Sequence, residues 1–397
     1  MLEISDELRQ WCLEGRDFAT ATVASVQGSA PRQPGATLAV DADNTAIGSV
    51  SGGCLESAAY DLCREAIDSG ESKLHGFTYS DEDAFAVGLT CGGEIQLFVT
   101  PMLADSPSRE ILEGILAVAS AEGRAAGIWL TDGPAELVGA ALLVHPDGSY
   151  EGTYSGCSDL MRAIAGEALA LLETGRTGTL LIDEPRRKFS EPVTAFVQSV
   201  VPPARMIIFG AIDFSADLAR MGKLLGYRVT VCDARPIFAT RARIPDAHEV
   251  IADWPHRYLG TTPVDLRTVL CVLTHDAKFD VPLLEKALRL PVAYVGAMGS
   301  RRTHQQRLEL LREAGLTEHE LAKLHSPIGL DLRGESSAET AISIAAEIVA
   351  SRRGGSGRPL TATRGPIHEI EANRPEIVPK EQSQWPTKCH SSSMENE

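Results

Sequence analysis

The 397-residue chain is short of positive charge: 37 Lys and Arg stand against 54 Asp and Glu, a formal net charge of −17. A phosphate backbone or an anionic bilayer is bound by a basic surface, so neither nucleic acid nor membrane is expected as a main partner. An anionic small ligand would require a locally positive pocket. The sequence holds no apolar run long enough to span a bilayer. Its first residues, Met1-Leu2-Glu3-Ile4-Ser5-Asp6-Glu7, lack the basic and apolar regions of a signal peptide, and the expected location is cytoplasmic. The eight cysteines (12, 54, 63, 91, 157, 232, 271 and 389) form no CxxC pair and no zinc-type spacing. They are expected as free thiols in a reducing compartment. Cys232 and Cys271 sit inside apolar strand-like runs and read as core.

What is present is organised around Gly48-Ser49-Val50-Ser51-Gly52-Gly53-Cys54-Leu55-Glu56. It reads as a short strand, a glycine turn and a helix start, with Leu55, Ala58, Ala59, Leu62, Ala66 and Ile67 following at helical spacing. Glycines permit close backbone approach, and a helix N-terminus offers free N–H groups that attract anions and favour a thiolate. An anion cradle at Ser51, Gly52 and Gly53 with an activated Cys54 is one reading. A tight bend with an inert Cys54 is the other. Upstream, Gln27-Gly28-Ser29-Ala30-Pro31-Arg32-Gln33-Pro34-Gly35 is a loop stiffened by proline. It is either a connector with a solvated arginine or an arch that aims Arg32 at an anion. Downstream, Cys91-Gly92-Gly93 repeats the cysteine–glycine pattern before a strand at 95–100. Two such turns suit a common ligand.

The length suggests two or three domains. Residues 101–175 alternate helix and strand, with strands expected over 126–131 and 137–145. Residues 176–203 carry Arg186-Arg187-Lys188 and end in Val200-Val201-Pro202-Pro203, whose prolines set the boundary. The divisions read are 1–195, a mixed α/β domain, and 204–352, where short apolar strands alternate with helices. That alternation implies a doubly wound parallel sheet. A low-complexity tail, 353–397, is expected to be disordered.

A dinucleotide fold places G-x-G-x-x-G after its first strand. Here the strand runs into Gly210-Ala211-Ile212-Asp213-Phe214-Ser215, which keeps only the first glycine. Asp213 could cap the helix but would repel a diphosphate. Asp233 ends the second strand, where ribose hydroxyls would be taken. NAD(P) is therefore disfavoured. Other strand ends carry Thr274-His275-Asp276, with His275 a candidate base, and Gly299-Ser300-Arg301-Arg302, where Ser300 can cap a helix and two arginines suit an anion.

Taken together, these motifs resemble the XdhC family of xanthine dehydrogenase accessory factors. The resemblance rests on Gly28-Ser29-Ala30-Pro31-Arg32, Gly48 to Cys54 with Glu56, Cys91-Gly92-Gly93, Phe209-Gly210-Ala211, Asp233-Ala234-Arg235-Pro236, Gly299-Ser300-Arg301-Arg302-Thr303 and Pro327-Ile328-Gly329-Leu330-Asp331. It implies a Rossmann-like C-terminal domain. It also implies a molybdopterin-binding accessory protein that protects the cofactor, aids its sulfuration and delivers it to a molybdenum hydroxylase, acting as a chaperone rather than an enzyme. The implied cofactor contacts are Arg32, Ser51, Gly52, Gly53, Cys54, Cys91, Gly92, Gly93, Gly210, Asp233, Arg235, Ser300, Arg301 and Arg302. Thiolates are soft partners for molybdenum and sulfide, so Cys54 is the expected metal contact or sulfur relay and Cys91 the second thiol. A cysteine desulfurase partner and a homo-oligomer are further expectations. Where the family continues Phe-Gly-Ala with Gly-His, this chain has Ile212-Asp213. The alternatives are an NAD(P)-dependent oxidoreductase, and a nucleotide or sulfur transferase acting on the pterin with His275 or Cys54 catalytic.

Overall fold

The computed structural model describes residues 1–27, 31–53, 55–78, 94–152, 158–182 and 192–364. They fall into two compact units, Met1–Pro202 and Pro203–Arg364.

In the first unit a 3-10 turn, Leu2–Ile4, leads into helix α1, Ser5–Leu13. Strands β1 (Phe18–Gln27), β2 (Thr37–Asp41) and β3 (Ala46–Gly48) follow, then helix α2 (Leu55–Ser69) and strands β4 (Lys73–Thr78) and β5 (Glu94–Met102). These strands form one antiparallel sheet in the order β3-β2-β1-β5-β4. Its side chains alternate between faces, as strand geometry demands. Ala19, Ala21 and Val23 of β1 pack with Ile95, Leu97 and Val99 of β5 against Leu55, Ala59, Cys63 and Ala66 of α2. Phe18, Ala24, Phe98 and Met102 point the other way.

The chain then repeats this plan. Helix α3 (Pro107–Ser120) precedes β6 (Ala125–Asp132), β7 (Ala141–Val144) and β8 (Tyr150–Gly152). Helix α4 (Ser158–Thr174), β9 (Gly178–Ile182) and β10 (Val193–Val200) complete it. The second sheet, again antiparallel, runs β8-β7-β6-β10-β9, the same order as the first when each is counted from its own first strand. Helix α4 covers its outer face through Leu160, Ile164, Ala168 and Leu172, as α2 covers the first sheet. The inner faces share one core. Phe18 and Phe98 of the first sheet and Trp129 and Phe196 of the second pack with Leu8 and Trp11 of α1 and Leu112 and Ile115 of α3. Arg109 lies inside this core, 2% exposed. Its guanidinium lies over the Phe18 ring and donates to the carbonyl oxygens of Cys12, Arg16 and Met102.

Two readings of this half need correction. The strand expected over 137–145 is confined to Ala141–Val144, because residues 137–139 turn, with the Ala140 N–H donating to Leu137 O. No strand is read in 176–203, yet β9 and β10 lie there, and β10 is buried along most of its length beside β6. The basic run and the prolines that flank it mask the strand pattern.

The second unit is a six-stranded parallel sheet in the order β13-β12-β11-β14-β15-β16. Its strands are Arg205–Phe209 (β11), Arg228–Asp233 (β12), Glu249–Ala252 (β13), Val269–Val272 (β14), Tyr294–Ala297 (β15) and Leu324–His325 (β16). Helices α5 (Asp213–Leu224) and α10 (Ser337–Arg353) cover one face. Helices α6 (Pro255–Thr261), α7 (Ala277–Ala287), α8 (Arg301–Glu313) and α9 (Glu318–Leu321) cover the other. The strand order reverses between β11 and β14, which is the switch point of a doubly wound sheet. Cys232 and Cys271 are fully buried, and burial pushes the Cys232 thiol up to about 12.

Candidate functional site

The register of the first sheet puts three connections at one end. Gln27, the last residue of β1, pairs with Glu94, the first of β5, and Glu94 also pairs with Thr78, the last of β4. Gly48, the last residue of β3, pairs with Leu38 near the start of β2. The connections 28–36, 49–54 and 79–93 therefore all leave the sheet at that end, and their sequences carry Arg32, Cys54 and Cys91 respectively. Cys54, Cys91, Gly92 and Gly93 lie outside the described residues, as do Gly28, Ser29 and Ala30. In the second sheet the matching connections are 133–140, 153–157 and 183–191. Of these, 153–157 holds Ser155-Gly156-Cys157, a sequence parallel to Ser51-Gly52-Gly53-Cys54, and it too lies outside the described residues.

The glycine turn is not an empty cradle. The carboxylate of Glu56, in the first turn of α2, fills it. Glu56 Oε1 accepts from Ser49 Oγ at 2.7 Å, Val50 N at 3.2 Å, Ser51 N at 2.9 Å and Gly52 N at 2.6 Å. Oε2 accepts from Ser51 Oγ at 2.8 Å and Gly53 N at 2.7 Å. Partial burial by itself would raise the Glu56 pKa. The bonds from Ser51, Ser49 and Gly52 outweigh it and bring the group down to about 2. Gly48 and Gly52 both adopt positive φ, +81° and +77°. At Gly48 a Cβ would stand 2.2 Å from Thr37 O, so glycine is required there for space as well as for conformation. Arg32 is likewise engaged: its Nη2 pairs with Glu3 of the opening 3-10 turn. The donors expected to meet an external anion at Ser51, Gly52 and Gly53 are thus spent on a residue of the same motif. Sequence reasoning includes Glu56 in the motif but misses its use as the turn's own anion. The available signal is its place three residues after Gly53, within reach of the preceding N–H groups.

The turn after β11 is closed in a comparable way. Gly210 has φ +107°, and a Cβ there would stand 3.1 Å from Thr274 N. Ala211 N donates to Asp233 Oδ2 at 2.7 Å, and Ile212 N to Ser215 Oγ at 3.3 Å. Asp233 is 2% exposed and also binds Arg235, whose Nη2 lies 2.8 Å from Oδ2. Burial pushes the Asp233 carboxyl up, but the Arg235 guanidinium and the Ala211 N–H more than compensate and leave it below the usual carboxylate range. Arg235 in turn stacks on Phe238, with Arg243 over the same ring. Asp213 is not the cap of α5. It is the first helical residue, largely exposed, and pairs with Arg243 at 3.2 Å.

Elsewhere at the carboxyl ends of this sheet, Ser300 caps α8 by accepting from Thr303 N at 3.1 Å. Arg301 and Arg302 are exposed and make no ion pair among the described residues. His275 is exposed and makes no hydrogen bond among them. Sequence reasoning misses the buried pair beneath them. Asp280 and Arg307 meet at 2.8 Å, both nearly inaccessible. Asp280 also takes Thr274 Oγ1 at 2.6 Å, while Arg307 donates to Met298 O and Ser326 Oγ. The pair therefore ties together the chain just past β14, β15 and β16. Burial pushes the Asp280 carboxyl up, against the pull of Thr274 and Arg307. Among the described residues no three His, Cys, Asp or Glu side chains group as a metal site, and no helix is long and apolar enough to cross a membrane.

A unit of two like antiparallel sheets, followed in the chain by a Rossmann-type parallel sheet, defines a two-part α/β protein whose N-terminal part bears a cysteine–glycine turn. Comparison with known proteins makes this specific. Residues 11–78 match the XdhC and CoxI family, and residues 206–348 match the XdhC Rossmann domain. The chain belongs to the XdhC family. It is 24% identical over 351 residues to a protein of Bacillus subtilis (strain 168) named as a probable xanthine dehydrogenase subunit, covering 86% of this chain and 95% of that protein. It is 24% identical over 342 residues to the molybdenum cofactor insertion chaperone PaoD of Escherichia coli (strain K12), covering 86% and 85%. A crystal structure of a protein named as a xanthine dehydrogenase, from Bacillus halodurans, shares the fold with a TM-score of 0.64 at 23% identity, covering 91% of this chain and 97% of that one.

Proposed function

We propose that this protein is a molybdenum-cofactor accessory factor. It binds a molybdopterin-type cofactor, shields it, aids its sulfuration and passes it to a molybdenum hydroxylase of the xanthine dehydrogenase type. The observation that carries this reading is the match along 86% of the chain to a named cofactor insertion chaperone. The site geometry supports it in one respect and redirects it in another. Arg32, Cys54 and Cys91 belong to connections that leave one end of one sheet, so a single cargo at that end can meet all three. The backbone donors of 51–53 are occupied by Glu56, so they do not receive the cargo's phosphate. That role falls to arginine: Arg301 and Arg302 beside the capped start of α8, or Arg32 on exchanging its exposed partner Glu3 for the phosphate.

In this reading Cys54 holds molybdenum or relays sulfur, with Cys91 the second thiol, because a soft, exchangeable ligand suits a cargo that must leave. The protein acts as a chaperone, not an enzyme, in the cytoplasm, with a cysteine desulfurase as sulfur source and self-association as a homo-oligomer. No observation favours an oxidoreductase: the N–H groups of Ala211 and Ile212, which would meet a dinucleotide phosphate, are bound to Asp233 and Ser215. Mass spectrometry of the small molecule released on denaturation tests the reading. A pterin is expected, and a nicotinamide dinucleotide would overturn it. Cys54→Ser is expected to lower the pterin retained per chain, and a persulfide on Cys54 would mark sulfur relay.

A further inference from the structure

Six donors from five consecutive residues converge on one carboxylate. Glu56 Oε1 takes four of them and Oε2 two, at 2.6–3.2 Å. In number and direction this is the coordination that a backbone nest gives to a bound oxyanion. Here the anion is supplied by the chain itself, from the first turn of the helix that the nest precedes. The rest of the turn has little else to hold it. Gly52 and Gly53 are exposed, and a Cβ built on either would meet nothing within 4 Å, so packing does not fix residues 52–53. At its other end the turn is anchored. Val50 is fully buried, Ser51 is 6% exposed, and Ser49 N donates to Thr37 O of β2 at 3.1 Å. The turn is thus pinned by β2 on one side and by the Glu56 carboxylate on the other.

We propose that Glu56 is a positioning residue. Its carboxylate acts as a permanent internal anion that fixes the backbone of 49–53, and with it the entry into α2, while keeping free phosphate and sulfate out of the turn. The geometry makes the two oxygens unequal, which gives the proposal a graded signature. Glu56→Ala removes the acceptor of four backbone amides, those of Val50, Ser51, Gly52 and Gly53. Glu56→Gln keeps one carbonyl oxygen. That oxygen serves best in the four-donor position, so the amide nitrogen faces Gly53 N and Ser51 Oγ and only the Gly53 amide loses its acceptor.

The experiment is hydrogen–deuterium exchange read by mass spectrometry on peptides covering 48–56. It is run on the full chain for the wild type, Glu56→Ala and Glu56→Gln, each with and without acetate. In Glu56→Ala four amides are expected to exchange at least about tenfold faster, and in Glu56→Gln one. Peptides from β1 and β5 are expected to change less than about twofold. Acetate, which restores a carboxylate to the emptied nest, is expected to slow exchange in Glu56→Ala and leave the wild type unchanged, a rescue that loss of packing would not show. Wild-type exchange rates at 50–53 in a folded Glu56→Ala would overturn the proposal. If Glu56→Ala does not fold, Glu56→Gln decides: acceleration confined to one amide supports the proposal, and none overturns it. A second arm rests on the cofactor reading and measures pterin retained per chain. Lower retention in Glu56→Ala supports positioning of the turn, and equal retention with a loosened turn overturns it. A wild type that retains no pterin counts against the cofactor reading while the exchange result stands alone.

Discussion

Each unit has a turn in which a strand runs through a positive-φ glycine into a helix with a carboxylate held among its N–H groups. After β3 that carboxylate is Glu56, from the helix the turn begins. After β11 it is Asp233, from the end of the neighbouring strand, 22 residues away. The first arrangement is local. Its partners lie within seven residues of one another, and the turn and its anion form together when α2 forms. The second is tertiary and exists only once β12 lies beside β11. The contrast shows that a glycine turn at a helix start need not wait for a ligand. An unpaired N–H group is costly, and these turns satisfy theirs from within.

The largest effect expected on this comparison is at the strand exits. Gly48→Ala places a Cβ 2.2 Å from Thr37 O, a backbone atom that can move only if β2 moves. A loss of about 3 kcal/mol or more is expected in chemical denaturation. Gly210→Ala meets Thr274 N at 3.1 Å and is expected to cost less, about 1–2 kcal/mol. Equal losses would remove the distinction between the two exits.

Next comes the buried carboxylate of the second turn. Asp233→Ala strands Ala211 N and leaves Arg235 without its partner, and a loss of about 2 kcal/mol is expected. Reading the second unit by its own probe would show whether the loss stays local. A loss below about 0.5 kcal/mol would mean that water replaces Asp233 at no cost, and that the second turn is open after all.

Both anions are held below the usual carboxylate range, and the first can be followed by pH. Glu56 has an ordinary value of 4.5 and is held at about 2 in the folded protein. A depressed carboxyl stabilises the fold above its unfolded pKa, and that stabilisation fades as pH falls from about 5 through about 2. Glu56→Gln should therefore flatten stability against pH in that window, most visibly in denaturant midpoints compared at about pH 3 and 6. An unchanged slope would mean that the carboxylate is not held by the turn. Smallest is Glu3→Gln, which removes the exposed partner of Arg32. Less than about 1 kcal/mol is expected, together with a stronger response of Arg32 to added phosphate. A large stability loss would show that the 3-10 turn at Leu2–Ile4, and not the anion end, depends on that pair.

Much of the architecture is legible in the sequence because its signals are local. The alternation of apolar strands with helices from 205 to 348 announces a parallel sheet covered on both faces, and the helical spacing of Leu55, Ala59 and Ala66 announces α2. The family resemblance is equally local, carried by short motifs in order. Strand β10 is hidden because Arg186-Arg187-Lys188 and Pro192 precede an otherwise strand-like run. The buried pair of Asp280 and Arg307 joins positions 27 apart on two different helices, a spacing no periodicity marks.

The sequence by itself determined the fold class of the second unit, the α2 helix and the cysteine–glycine motifs, because each follows from neighbouring residues and the period of one element. Only the tertiary structure decided that the first unit is one plan built twice, since each order is closed by one pairing, β1 with β5 and β6 with β10, between strands that the chain does not place side by side. It also decided that the connections bearing Arg32, Cys54 and Cys91 leave one end of one sheet, and that Asp233 serves the Gly210 turn. Those are facts of register, and register is fixed only when strands distant in the chain pair over a common core.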